Sequence, residues 1–329
     1  MPARSVLHAV SSAAIVLAAG VLLYLSLRGI QWKSVVHTVA SIRPAYAALA
    51  LVIGIVPMLL RAARWRILLQ ANAPVSFKTA FWAVAAGYFG NNFLPARGGE
   101  VVRSYIVRER SQLGGSYIMA TALSERVADA VALAVIGAIV LFFMPRASAW
   151  MTVVRGSFAL IGVVGVSVLV GLPMLEKPIS RMLRPWSRIQ LIMQQFVLGV
   201  RSLHNLPRLL GFAALTAVIW WLDAAATSTL AHALSISMPI SVAMLLIIAL
   251  SLSSALPSTP GYVGVFQFVA VKVLQPFGIS SSAAIAFIFV TQAFSYLVTG
   301  TLGVLAMTYF TPFNWRVFRR PLQPIQIQS

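Results

Sequence analysis

Apolar residues fall into long blocks along the chain, separated by short basic or polar stretches. The blocks at 10–27, 45–60, 116–143, 158–174, 210–230 and 283–310 approach or exceed the roughly 20 residues needed to cross a bilayer core. They predict six transmembrane helices. The first follows a lone arginine, Arg4, as a signal peptide would, but Leu25-Ser26-Leu27-Arg28 is not a small-residue cleavage site, so it is expected to be a retained helix.

Two further apolar stretches are short and interrupted. The stretch 77–94 holds Gly87, Gly90, Asn91 and Asn92, stops at Leu94-Pro95, and resumes after Arg97-Gly98-Gly99 as a polar-faced helix over 100–110. The stretch 240–256 breaks at Leu256-Pro257-Ser258-Thr259-Pro260-Gly261 and returns over 262–274. Broken helices of this kind make poor spans. They suit re-entrant hairpins, whose freed backbone groups must be buried in protein or line a cavity. The two breaks share a pattern, Leu94-Pro95-x-x-x-Gly99-x-Val101 and Leu256-Pro257-x-x-x-Gly261-x-Val263. Three predicted spans lie between them, so the second hairpin is expected to enter from the opposite membrane face. That is an inverted-topology repeat, which places a site near the bilayer midplane.

The predicted fold is therefore all-α and polytopic: about six transmembrane helices plus two re-entrant helical hairpins. It divides into a first helix with an amphipathic linker (1–43), a first repeat (44–174, hairpin 77–110), a basic amphipathic linker (175–208), a second repeat (209–311, hairpin 240–277) and a basic cytoplasmic tail (312–329).

Composition agrees. Hydrophobic residues make up 60% of the chain and charged residues 9%, too few to coat a soluble globule of 329 residues. Net charge is +19. In a membrane protein such an excess reads as basic loops against anionic lipid rather than nucleic-acid binding. With both termini inside, the predicted cytoplasmic segments hold 18 Lys and Arg against 6 outside, which favours a plasma-membrane protein in that orientation. Trp32, Trp65, Trp82, Trp150, Trp186 and Trp315 read as interfacial anchors, with Arg61, Arg64 and Arg66 at the same level. The region around Arg181 to Arg201 reads as an in-plane helix. There is no cysteine, and the four histidines are far apart, so neither a thiolate nor a histidine metal site is expected, and no cofactor.

Charges inside a membrane are functional candidates because each is expensive unless paired. Glu125 and Asp129 are four apart and share a helix face, with Arg126 about 100° round from Glu125. Glu100 and Arg103 are spaced to pair locally. Asp223 lies inside a predicted span, with Arg126 or a hairpin arginine as the expected partner. These charges form either an ion-pair network joining helices, a polar path for a head group, or both. At the first tip, Asn91, Asn92, Arg97, Gly99, Glu100 and Arg103 surround a helix N-terminus, which suits a phosphate. The second tip, Ser258, Thr259 and Gly261, offers hydroxyls and another helix start.

Taken together, Arg61-x-x-Arg-Trp-Arg66, Asn92-x-Leu-Pro95-x-Arg-x-Gly-Glu100-x-x-Arg103, Glu125-Arg126-x-x-Asp129 and Leu256-Pro-x-x-Pro-Gly-x-x-Gly264-Val-Phe266 resemble the lysylphosphatidylglycerol synthase transmembrane-domain family. The resemblance covers about residues 8–310. It implies a flippase-like protein that moves lipids between leaflets, either aminoacylated phosphatidylglycerol or polyprenyl and hopanoid lipids. The aminoacyl-transfer domain of bifunctional members is not expected here, because the sequence ends shortly after its last span. The family often has Glu where this chain has Gln267, which bears on coupling or substrate choice.

The leading expectation is a lipid transporter, not an enzyme. An anionic or aminoacylated head group would pass between the two hairpin tips, with Arg97, Arg103 and Arg126 holding phosphate and Glu100, Glu125, Asp129 and Asp223 balancing them. No P-loop motif is present, so a gradient, the membrane potential or equilibration would drive it. A lipid-linked transferase and a broken-helix transporter of small solutes are the alternatives. Membrane lipids are the expected partners, nucleic acid is not, and self-association is left open.

Overall fold

Continuous apolar sequence with few breakers gives helices, and helices are what the chain forms. The computed structural model describes residues 17–93, 98–144, 149–171, 173–176, 180–181, 194, 197–201, 203, 205–254 and 259–309. No strand occurs among them. The helices, in order, are α1 (Leu17–Leu27), α2 (Trp32–Ala40), α3 (Pro44–Leu69), α4 (Phe77–Phe93), α5 (Gly99–Arg110), α6 (Gly115–Phe142), α7 (Ala149–Gly171), α8 (Leu206–Ala233), α9 (Ile240–Ser253), α10 (Val265–Leu274) and α11 (Ser281–Tyr309). Single 3₁₀ turns sit at Pro260–Tyr262 and Gln275–Phe277.

Among the described residues, four helices are long and apolar enough to cross a membrane: Pro44–Leu69, Thr152–Gly171, Leu206–Ala233 and Ser281–Tyr309. The 28-residue α6 is as long, but carries Glu125, Arg126 and Asp129. Both interrupted stretches fold as helix–break–helix, α4 to α5 and α9 to α10. Two helices are longer than the hydrophobic pattern suggests. Helix α3 runs through Arg61, Arg64 and Arg66 to Leu69 because Ile67, Leu68 and Leu69 continue its apolar face. Helix α7 starts at Ala149, so Arg155 is helical rather than part of an outer loop. The basic linker 177–205 lies largely outside the described residues.

The chain forms two compact units. The first comprises Met1–Val56, Asn91–Arg97 and Trp220–Thr301, and the second Pro57–Gly90, Gly98–Ile219 and Leu302–Ser329. In the first unit, Arg43 N–H donates to Ala233 O at 2.8 Å and Gln31 N–H to Ser282 Oγ at 3.2 Å, fixing α3 to α8 and α2 to α11. Asn92 Nδ2 donates to Thr299 Oγ1 at 2.8 Å, which ties the end of α4 to α11. In the second unit, α6 and α7 pack closely as antiparallel neighbours. A Cβ at Gly137 would meet the Phe158 ring, and one at Gly165 would meet Val131.

Candidate functional site

The second unit contains a chain of six alternating charges. Asp129 and Glu125 project from one face of α6, as their spacing predicts. Arg64 of α3 reaches both. Its Nη1 donates to Asp129 Oδ1 at 2.5 Å, and its Nη2 to Asp129 Oδ2 and Glu125 Oε1, each at 2.9 Å. Nη1 also donates to Thr216 Oγ1 of α8 at 3.1 Å. Arg103 of α5 donates from Nη1 to the other Glu125 oxygen at 2.8 Å, and its Nε lies 2.6 Å from Glu100 Oε2. Arg126 closes the series, with Nε donating to Glu100 Oε1 at 2.9 Å and Nη2 lying 2.7 Å from the same oxygen. The order is Asp129–Arg64–Glu125–Arg103–Glu100–Arg126.

Three cations and three anions leave no net charge, which is how a buried set of ions avoids an uncompensated desolvation penalty. Aromatic rings complete the lining. The Arg103 guanidinium lies 4.5 Å over the Trp65 ring, and that of Arg64 5.1 Å from Phe212. Tyr88 lies between Arg61 and Arg126, 5.6 and 5.8 Å from the two guanidinium carbons. Trp65 Nε1 donates to Thr121 Oγ1 at 3.3 Å. Burial is graded along the series. Arg64 is 1% exposed, whereas the Arg126 side chain is 32% exposed.

The sequence expectations divide on this geometry. Glu100, Arg103, Glu125, Arg126 and Asp129 come together, and the local Glu100–Arg103 pair forms. Arg103 does not stand ready to hold phosphate: it faces Glu125 and Glu100 and is covered by Trp65. The positive start of α5 already has Glu100 in its first turn. Arg126 pairs with Glu100 rather than Asp223, and half-buried Asp223 belongs to the first unit. Gly99 is buried at the start of α5, and its carbonyl lies 3.2 Å from where a Cβ on Gly87 would sit. Arg97 and Ser258 lie outside the described residues.

Arg64 and Trp65 are corrections. Both were expected at the membrane–water interface, and both are buried, Trp65 completely. Two signals pointed to Arg64. The apolar Ile67-Leu68-Leu69 beyond it continues the helix, and the candidate set Glu100, Arg103, Glu125, Arg126 and Asp129 has three acids against two arginines. Neutrality inside a bilayer requires a third cation.

The first unit holds the second break by neutral hydrogen bonds. Gly261 and Gly264 have φ of +69° and +89°, a backbone region that glycine enters without penalty. A Cβ on Gly264 would also strike the Ala19 carbonyl of α1. Gly264 N–H donates to Gln267 Oε1 at 2.7 Å, Gln267 Nε2 to Gln292 Oε1 at 2.6 Å, and Gln292 Nε2 to Gly261 O at 2.9 Å. Tyr296 OH donates to the same carbonyl at 2.8 Å. Because the path starts at a backbone N–H and ends at a backbone C=O, the orientation of both amides is fixed. Gln267 is thus a structural pin, 1% exposed, with Gln292 and Tyr296 as partners that only the tertiary fold could reveal. Thr259 Oγ1 donates across the break to Val263 O at 2.8 Å, and Asn91 is buried.

Comparison with known proteins gives a consistent assignment. The family described as lysylphosphatidylglycerol synthase TM region matches residues 11–303. The chain is 25% identical over 297 residues to a UPF0104 membrane protein of Methanothermobacter thermautotrophicus, covering 81% of this chain and 84% of that protein. It is 28% identical over 98 residues to a UPF0104 membrane protein of Methanocaldococcus jannaschii, 29% of each. No solved structure matches.

Proposed function

We propose, from the premise that the chain belongs to the lysylphosphatidylglycerol synthase TM region family, that it moves a lipid with an anionic or aminoacylated head group between leaflets. The observation that carries this is the six-charge series, neutral in sum, buried at one end and ending on a partly exposed cation at the other. A head group crossing hydrocarbon must exchange its water for fixed partners. A series of paired ions supplies donors and acceptors in place, with no isolated charge left behind when one pair opens. Glu100 is the exchangeable member, because it bridges Arg103 and Arg126 and is half-buried. Phosphate would displace it from Arg126, and a cationic aminoacyl group would take it up.

The broken helices fit re-entrant hairpins on length. At 1.5 Å per residue, α4 and α5 reach about 25 and 18 Å, and α9 and α10 about 21 and 15 Å, all short of the roughly 30 Å hydrocarbon core. We place the termini on the cytoplasmic side of the plasma membrane. Taking buried Arg64 and Arg103 from the 18 predicted inner cations leaves sixteen, and taking helical Arg155 from the 6 predicted outer ones leaves five, so the bias favours that orientation. A transporter fits better than a metal-dependent transferase, because both carboxylates of the α6 pair are held by Arg64.

The test is translocation in proteoliposomes, using fluorescent phosphatidylglycerol, its lysyl ester and a polyprenyl phosphate, with dithionite to quench outer-leaflet label. The expected result is faster loss of the protected fraction than in protein-free vesicles for at least one of these lipids, and none for phosphatidylcholine. Rates equal to protein-free vesicles for all three overturn the proposal.

A further inference from the structure

Within the first unit, one face of α11 reaches both the end of α4 and the Gly261 turn. Gln292, Tyr296 and Thr299 are spaced four and three apart, so they line up on the same side of the helix. Gln292 and Tyr296 both donate to Gly261 O, at 2.9 and 2.8 Å. Thr299 gives its own hydrogen to Ser295 O at 2.7 Å, and its oxygen accepts from Asn92 Nδ2 at 2.8 Å. The ring of Tyr296 meets that of Phe93, the last residue of α4, with centroids 5.9 Å apart and planes at 49°. Tyr296 thus serves two sides at once: its hydroxyl holds the turn and its ring holds the end of α4.

We propose that Tyr296 couples these two places, so that the end of α4 and the Gly261 turn loosen together. Three observations support the coupling. First, the phenol is rigid. Its oxygen is fixed in the plane of the ring, so a change of χ1 rotamer that takes the ring off Phe93 also takes the hydroxyl off Gly261 O. Second, the turn is fitted to that hydroxyl. A Cβ on residue 261 would strike Tyr296 Oη, so the close approach demands glycine there as well as the φ of +69° does. Third, the flanking bonds come from the same rod. Helix α11 is continuous over Ser281–Tyr309, and Gln292 and Thr299 lie one turn to either side of Tyr296, about 10 Å apart. The inference goes beyond the transport reading and rests on α11 and its partners alone. In a lipid carrier it means that both interruptions are released in one step.

The test is hydrogen exchange read by mass spectrometry on the full chain in lipid nanodiscs. Peptides covering 84–93 and 261–268 report the two places, and 131–141 of α6 serves as the control. Phe93→Ala leaves every hydrogen bond of the turn in place, yet is expected to speed exchange over 261–268 about fivefold, the weight of one neutral hydrogen bond. Gly261→Ala expels the Tyr296 hydroxyl and is expected to speed exchange over 84–93 by a similar factor, because coupling is reciprocal. If that variant does not fold, Thr259→Val, which removes only the bond across the turn to Val263 O, gives the same reverse effect in smaller size. In a Tyr296→Phe background the ring contact remains without the hydroxyl, so adding Phe93→Ala leaves 261–268 unchanged. Acceleration confined to the mutated side in both directions overturns the proposal. So does equal acceleration over 131–141, which is general loosening. Failure of the transport reading is separately visible: linked exchange without translocation keeps the coupling and loses the transporter, and translocation with unlinked exchange does the reverse.

Discussion

Replacing Arg64 with methionine removes four hydrogen bonds and the one cation that touches both α6 carboxylates. The two acids suffer unequally. Glu125 keeps Arg103 at 2.8 Å, whereas Asp129 loses the donors on both of its oxygens. The penalty is therefore mainly a buried carboxylate left without its cation, which measured cases put at about 3–5 kcal/mol. Adding Asp129→Leu restores neutrality, since two arginines then face two glutamates. The double variant is expected to regain about 2 kcal/mol or more of that loss, a coupling far outside additivity. Arg64→Lys keeps the charge but replaces a planar fork with a point donor, so it falls between the two. Unfolding free energy from denaturant titration in mixed micelles reads the native protein, Arg64→Met, Asp129→Leu, their double variant and Arg64→Lys. An Arg64→Met loss below about 1 kcal/mol, or a double variant no better than the sum of the singles, would refute the idea that neutrality governs this cluster.

Gln267→Glu tests the amide path. A neutral acid can accept from Gly264 N–H and donate to Gln292 Oε1, but a carboxylate cannot donate, so one bond is lost. The neutral form is thus the one the fold favours. Relative to the native protein at the same pH, stability should be near equal at about pH 4 and lower by about 1–3 kcal/mol at about pH 8; a variant whose pH dependence matches that of the native protein contradicts the bonding scheme. Gly264→Ala combines φ of +89° with a Cβ directed at the Ala19 carbonyl, and should lower stability by more than the roughly 1–2 kcal/mol of backbone strain alone, read by thermal unfolding in detergent. Trp65→Phe keeps a ring beneath Arg103 and loses the bond to Thr121, so a modest drop of about 1 kcal/mol is expected by denaturant titration, with translocation intact.

Much of the helical organisation was legible because membrane helices advertise themselves by length and apolarity. The breaks were legible because proline and paired glycines punctuate an otherwise continuous run. Spacing put Glu125 and Asp129 on one helix face and Glu100 beside Arg103, and the expense of charge in hydrocarbon made all of them candidates, but that the two sets meet is visible only in the fold. Arg64 was hidden by its company: three arginines and a tryptophan at the end of an apolar block look like an interfacial girdle, and only three more apolar residues show that the helix goes on. The link from Gln267 to Gln292 spans 25 residues and two helices, so no local pattern encodes it. Its counterpart in local terms, the pair Gly261 and Gly264, shows where the chain bends but not what holds the bend.

The protein secures its two interruptions in different currencies. Around the first stand whole charges, on which a voltage across the bilayer exerts about 2.3 kcal/mol per elementary charge per 100 mV. Around the second stand two carboxamides, a phenol and two peptide groups, with no charge for that voltage to act on. Because the arginine–carboxylate series sums to zero, an energised membrane does net work on it only when one of its pairs opens and a charge moves, and none on the glutamine pair.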